Sequence, residues 1–140
     1  KIASVILIFL LLLGVNSCCT DMYCIGVEDI NVKLQGFSLQ ELEELTLVNT
    51  NQNDTVETFV DIQDEGGFFL QMNSKFNIEN NYVLYIYSLG ASYSISNFQT
   101  SKSKCNTGFM CRDYVYHLKS YKVNGVEYSA EGGYIVNINK

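Results

Sequence analysis

Five cysteines, one histidine and a short acidic run before a Gly-Gly pair hold most of the reactive chemistry in this 140-residue chain. Cys18, Cys19 and Cys24 crowd into GVNSCCTDMYC, and Cys105 and Cys111 bracket CNTGFMC. A thiol can accept an acyl chain, join a disulfide, bind zinc or attack a substrate, and spacing separates these roles. Zinc sites favour C-x2-4-C pairs with further Cys or His at set distances, which this chain matches only in part. A thiolate nucleophile needs a free, low-pKa sulfur beside a base. The one histidine, His117, falls mid-strand in DYVYHLKSYKV on the side of Val115 and Lys119, an exposed or half-exposed position. Asp61, Asp64 and Glu65 ahead of Gly66 and Gly67 could offer oxygens to Ca²⁺. They lack the EF-hand spacing, however, and acidic residues before Gly-Gly are ordinary in hairpin turns. No nucleophile elbow, H-E-x-x-H, phosphate loop or dinucleotide fingerprint occurs. The expectation is a non-catalytic protein without a cofactor.

The segment ahead of the first cysteine explains the trio better. Lys1 is followed by IASVILIFLLLLGV, an apolar run that fits a signal h-region and is too short to span a bilayer as a helix of about 20 residues. Val15, Asn16 and Ser17 then precede Cys18. These residues resemble a bacterial lipoprotein signal of the looser, Bacteroidetes type, with Ser directly before the cysteine. The resemblance implies acylation of Cys18, cleavage between Ser17 and Cys18, and attachment to the membrane through lipid. Plain secretion uses the same bond, with Val15 and Ser17 at the −3 and −1 positions, and gives the same mature chain without lipid. More than one acyl chain is needed for stable anchoring, at about 0.8 kcal/mol per buried CH₂. The lipoprotein cysteine carries several. The resemblance places the protein at the outer membrane or cell surface, and either face of that membrane is compatible with it.

With Cys18 lipidated, four cysteines remain in an oxidising compartment. Asn106 and Gly108 can fold the chain between Cys105 and Cys111, so those two form the first candidate bridge. Cys19 and Cys24 can then close a small N-terminal loop. Alternatively, the N-terminal segment is stapled to the Cys105 loop.

Composition fits an exported domain. Hydrophobic residues make up 47% of the chain, enough to bury a core, and the net charge of −6 with no basic run argues against nucleic acid. Ten tyrosines, no proline and many Asn-containing breaks favour strands joined by turns. DINVKLQG alternates, placing Ile30, Val32 and Leu34 on one face. FSLQELEELTLVNT combines a capping box at Ser38 and Glu41 with leucines at helical spacing. It reads as one helical turn over Ser38 to Leu42, then a strand to Asn49 with Leu45 and Leu47 inward. TVETFVDIQ reads as a single strand with Val56, Thr58, Val60 and Ile62 on one side. YVLYIYSL is apolar on both faces and expected to be the most buried strand. Val123-Asn124-Gly125-Val126 calls for a type I′ hairpin.

These elements predict an all-β, two-sheet antiparallel sandwich of about eight or nine strands after an N-terminal signal helix. Residues 1–17 form the signal, 18–27 a tether and 28–140 the domain. Such a sandwich looks like the transthyretin-like or carboxypeptidase-regulatory-like modules of bacterial surface lipoproteins, a resemblance of fold that names no ligand. The expected role is a binding or structural module of the cell envelope, held to the membrane by lipid, with a protein or glycan partner. Tyr114, Tyr116 and Tyr121 on one strand form a candidate ligand face for glycan or protein. Asn53 and Thr55 form an N-x-T sequon in a polar turn, and Asp54-Thr55-Val56 resembles a Bacteroidetes O-glycosylation site.

Overall fold

The computed structural model describes Val27 and residues 30–63, 67–105 and 113–140. The signal segment, Cys18, Cys19, Cys24, Cys111, Asp64 and Glu65 lie outside the described residues. The chain divides into two compact units, one of Ile25–Ser101 with Tyr116–Lys140, the other of Lys1–Cys24 with Lys102–Val115.

Ten strands are described: β1 (Asn31–Gln35), β2 (Leu45–Asn49), β3 (Asp54–Val56), β4 (Thr58–Gln63), β5 (Gly67–Met72), β6 (Tyr82–Ile86), β7 (Ala91–Cys105), β8 (Asp113–Val123), β9 (Val126–Ser129) and β10 (Ile135–Asn139). They form a four-stranded sheet, β10-β1-β5-β4, and a six-stranded sheet, β3-β2-β6-β7-β8-β9. The protein is an all-β sandwich, with slightly more strands than the alternation suggested. One pairing departs from the antiparallel expectation: β1 and β10 run parallel, Val32 opposite Val136 and Leu34 opposite Ile138. Parallel partners need a long connection, and here nearly the whole domain supplies it.

The core forms because inward parity is kept across each sheet. On one side the rows are Val136-Val32-Leu70-Val60 and Ile138-Leu34-Phe68. On the other they are Leu47-Leu84-Tyr93 and Asn49-Tyr82-Ile95. Val32, Leu34, Leu47, Leu84, Ile95, Val136 and Ile138 are wholly buried. Each such side chain contributes about 1.5–3 kcal/mol relative to exposure.

Local signals are met where chemistry is local. Ser38 caps a 3-10 turn, Leu39–Leu42: the Glu41 N–H donates to Ser38 Oγ, and the Ser38 N–H donates to Glu41 Oε2 at 2.9 Å. Asn124 and Gly125 have φ of 50° and 81°, the two left-handed positions of a I′ turn, with Val123 opposite Val126.

Two strand expectations are corrected. TVETFVDIQ is not one strand: β3 ends at Val56 in the six-stranded sheet, and β4 begins at Thr58 in the other. A chain can change sheets at a corner without breaking its alternation, so a period of two does not reveal the switch. Ile62 is 61% exposed, because it lies near the end of an outermost strand with a neighbour on one side only. In β6, Tyr82, Leu84 and Ile86 are buried but Tyr85 is exposed, so this strand is buried on one face rather than two.

Candidate binding surface

Polar side chains gather at one end of the sandwich, where the β2–β3 turn meets the β5–β6 loop. Asn49, Gln52, Asp54, Thr55, Asn77 and Asn80 help line a cleft of about 460 Å³. Most of its polar groups are committed to holding the loops. Asn49 Oδ1 accepts from the N–H groups of Asn51 and Gln52, and Asn49 Nδ2 donates to Gln52 Oε1. Asn51 Oδ1 accepts from the Asn81 N–H at 2.7 Å, and Thr50 donates twice to the Asn81 carbonyl. Tyr82 Oη both accepts from the Asn77 N–H and donates to its carbonyl. Asn73 Nδ2 donates to Glu57 Oε2. This network supplies the hydrogen bonds the turn backbones would otherwise lack.

The outer face of the six-stranded sheet is different. Tyr85 projects from β6 between Thr46 on β2 and Ser92 on β7. Tyr87 follows in a 3-10 turn, Tyr87–Leu89, with its N–H donating to the Glu44 carbonyl at 3.0 Å. Ser88 Oγ donates to the Glu41 carbonyl, fixing the same turn. The two rings lie near-parallel, 6.4 Å apart at 15°, with Tyr85 39% and Tyr87 58% exposed. Paired aromatic faces beside hydroxyls on a sheet surface can stack on the C–H face of a sugar ring and hydrogen-bond its hydroxyls. Strand alternation alone could have flagged Tyr85, whose neighbours Leu84 and Ile86 are inward. Tyr87 has the same outward parity and stands in the 3-10 turn that follows the strand.

The tyrosines singled out on β8 separate. Tyr121 is no ligand residue: it is 1% exposed, and its hydroxyl accepts from the Asn137 N–H at 2.6 Å and donates to the Asn137 carbonyl at 3.2 Å. Parity is the reason: Tyr114 and Tyr116 hold even, exposed positions on β8, whereas Tyr121 and Val123 hold odd ones that are buried. Burial pushes the Tyr121 phenol upward in pKa. Tyr116 is exposed. In the smaller unit Tyr114 is exposed as well, with the Lys102 ammonium 4.2 Å from its ring centre.

Other candidates fall in separate places. His117 is half-buried, with its Cβ beside Gly133. Asp61 is half-buried on β4, and among the described residues no three His, Cys, Asp or Glu side chains gather as metal ligands would. Asn53, with φ 52°, and Thr55 are both exposed at the β2–β3 hairpin, where a modifying enzyme could reach them. Cys105 ends β7. Among the described residues no helix is long and apolar enough to cross a membrane. No protein-family model, curated protein or solved structure matches this chain.

Proposed function

We propose that this chain is a lipid-anchored module of the bacterial cell envelope that works by binding rather than turnover, and that its ligand is a surface glycan. The anchor rests on the apolar run ending at Cys18. The observation that carries the ligand reading is the exposed, near-parallel pair Tyr85 and Tyr87, flanked by Thr46 and Ser92. Stacking on aromatic rings uses surface these side chains already expose. Glu44 lies against Tyr87 through its backbone, and Glu43 and Glu44 are exposed, so the local field favours neutral or amino sugars over acidic ones.

Two measurements test the two halves. Mature protein should enter the detergent phase and take up labelled palmitate, and Cys18→Ala should lose both. An aqueous wild type with an unmodified amino terminus overturns the anchor. On a glycan array, neutral or amino-sugar polymers should be retained by wild type and lost from Tyr87→Ala. Equal retention by both proteins overturns the ligand face.

A further inference from the structure

Four strands end the sheets among the described residues, and three of them are short or covered. β3 has three residues, all polar but Val56, and β9 has four. The Tyr121 hydroxyl meets both backbone groups of Asn137 on β10. The fourth, β4, is six residues long, pairs on one side with β5, and leaves Phe59 58% and Ile62 61% exposed. Beside it runs a groove of about 310 Å³ whose apolar wall is Leu39, Leu42, Leu45, Phe59 and Val60, with Glu43 at its rim.

A long edge with exposed apolar side chains is what sheets ordinarily avoid, commonly by placing lysine there. Here the charge has the opposite sign. From residue 39 to residue 63 the sequence holds no Lys, Arg or His, while Glu43 and Glu44 are exposed and Asp61 shares the outward parity of Phe59. Among the described residues, Glu41 is the one carboxylate of this stretch that pairs with a cation, Lys140.

We propose that the β4 edge and its groove receive an extended segment of a partner protein in which apolar residues alternate with Lys or Arg. Added as a fifth strand, the segment would hydrogen-bond to the backbone of β4. Its apolar side chains would fill the groove, and its cations would face Glu43 and Asp61. A second copy of this chain fits poorly. Antiparallel β4-to-β4 pairing sets outward residues opposite outward ones, so Asp61 would meet Asp61 or Phe59, between molecules that each carry −6.

The test uses capped octapeptides of alternating Val and Lys, or Val and Glu, added to the whole mature protein. The Val-Lys peptide should bind saturably and slow amide hydrogen exchange across Thr58–Gln63. Glu43→Lys and Phe59→Gln, both exposed substitutions, should each weaken binding by about tenfold. The Val-Glu peptide should not bind, and Tyr87→Ala should bind Val-Lys as wild type does, which separates this surface from the glycan face. Equal binding of both peptides, protection elsewhere than β4, or self-association of the protein without peptide overturns the proposal.

Discussion

Tyr121 and Tyr87 are the same side chain put to opposite use. Tyr121 lies inside the sandwich, its ring in the core and its hydroxyl on Asn137, so β8 of one sheet is fastened to β10 of the other. Tyr87 stands 58% exposed on the outer face beside Tyr85, held only through its backbone. The ten tyrosines of the chain therefore do not constitute a single feature. Those facing inward with the hydroxyl tied are structure, and those facing outward in pairs are surface available for contact.

The contrast is broken most severely by truncating the inward ring. Tyr121→Ala removes a buried aromatic and strands the Asn137 N–H, and should cost about 3–5 kcal/mol, read from denaturant midpoints. Tyr121→Phe keeps the ring and loses only the hydroxyl, at about 1–3 kcal/mol. The same residue sets an alkaline limit. Burial raises its folded pKa above the ordinary value near 10, so its stabilisation is complete below that value and is lost as pH rises from there through the folded one. Above about pH 10 the melting temperature of wild type should fall more steeply than that of Tyr121→Phe. Parallel curves would show that burial of the Tyr121 phenol does not govern the alkaline limb.

These assignments also show what can be read from sequence. Wherever the cause lies within a few residues, the reading succeeds: the Ser38–Glu41 capping box, the Asn124-Gly125 turn, and the alternation that buries Ile30, Val32 and Leu34. It fails where the cause is distant. The parallel partner of β1 is about a hundred residues away, and Glu57 passes between two sheets without disturbing the pattern. Tyr121 shares a strand with Tyr114 and Tyr116 but not their parity, and the opposite face of β8 at Tyr121 and Val123 is core. The outward pair is hidden for the converse reason, since tyrosines in an apolar run look like core until one face of the strand is known to be solvent.

An intermediate case is the exposed fastening between Glu41 and Lys140. Glu41 follows β1 and Lys140 follows β10, and the Lys140 N–H also donates to the Gln35 carbonyl. Chiefly the Lys140 ammonium, and next the Ser38 N–H, hold the Glu41 carboxyl below the usual carboxylate range. A depressed folded pKa gives stabilisation that is present above the unfolded value and is lost as pH falls through the folded one. Lys140→Met raises the folded value towards the unfolded one, so its stability should vary less than that of wild type on the acid side of about pH 4.5. Its loss at neutral pH should stay well below that of Tyr121→Ala, because exposed pairs are screened by solvent.

The smallest stability effect belongs to Tyr87, and its smallness is what gives the comparison force. An exposed ring whose neighbours are another exposed ring and solvent has little to lose on truncation, so Tyr87→Ala should shift stability by no more than about 0.5 kcal/mol. The backbone hydrogen bonds of its turn, from Tyr87 N–H to Glu44 and from Gly90 N–H to Tyr87, do not involve the ring. A substitution that leaves the melting temperature in place yet abolishes glycan retention assigns that ring to recognition. A loss as large as that of Tyr121→Ala would instead mean that the outer pair is part of the scaffold, and the distinction between the two faces would fall.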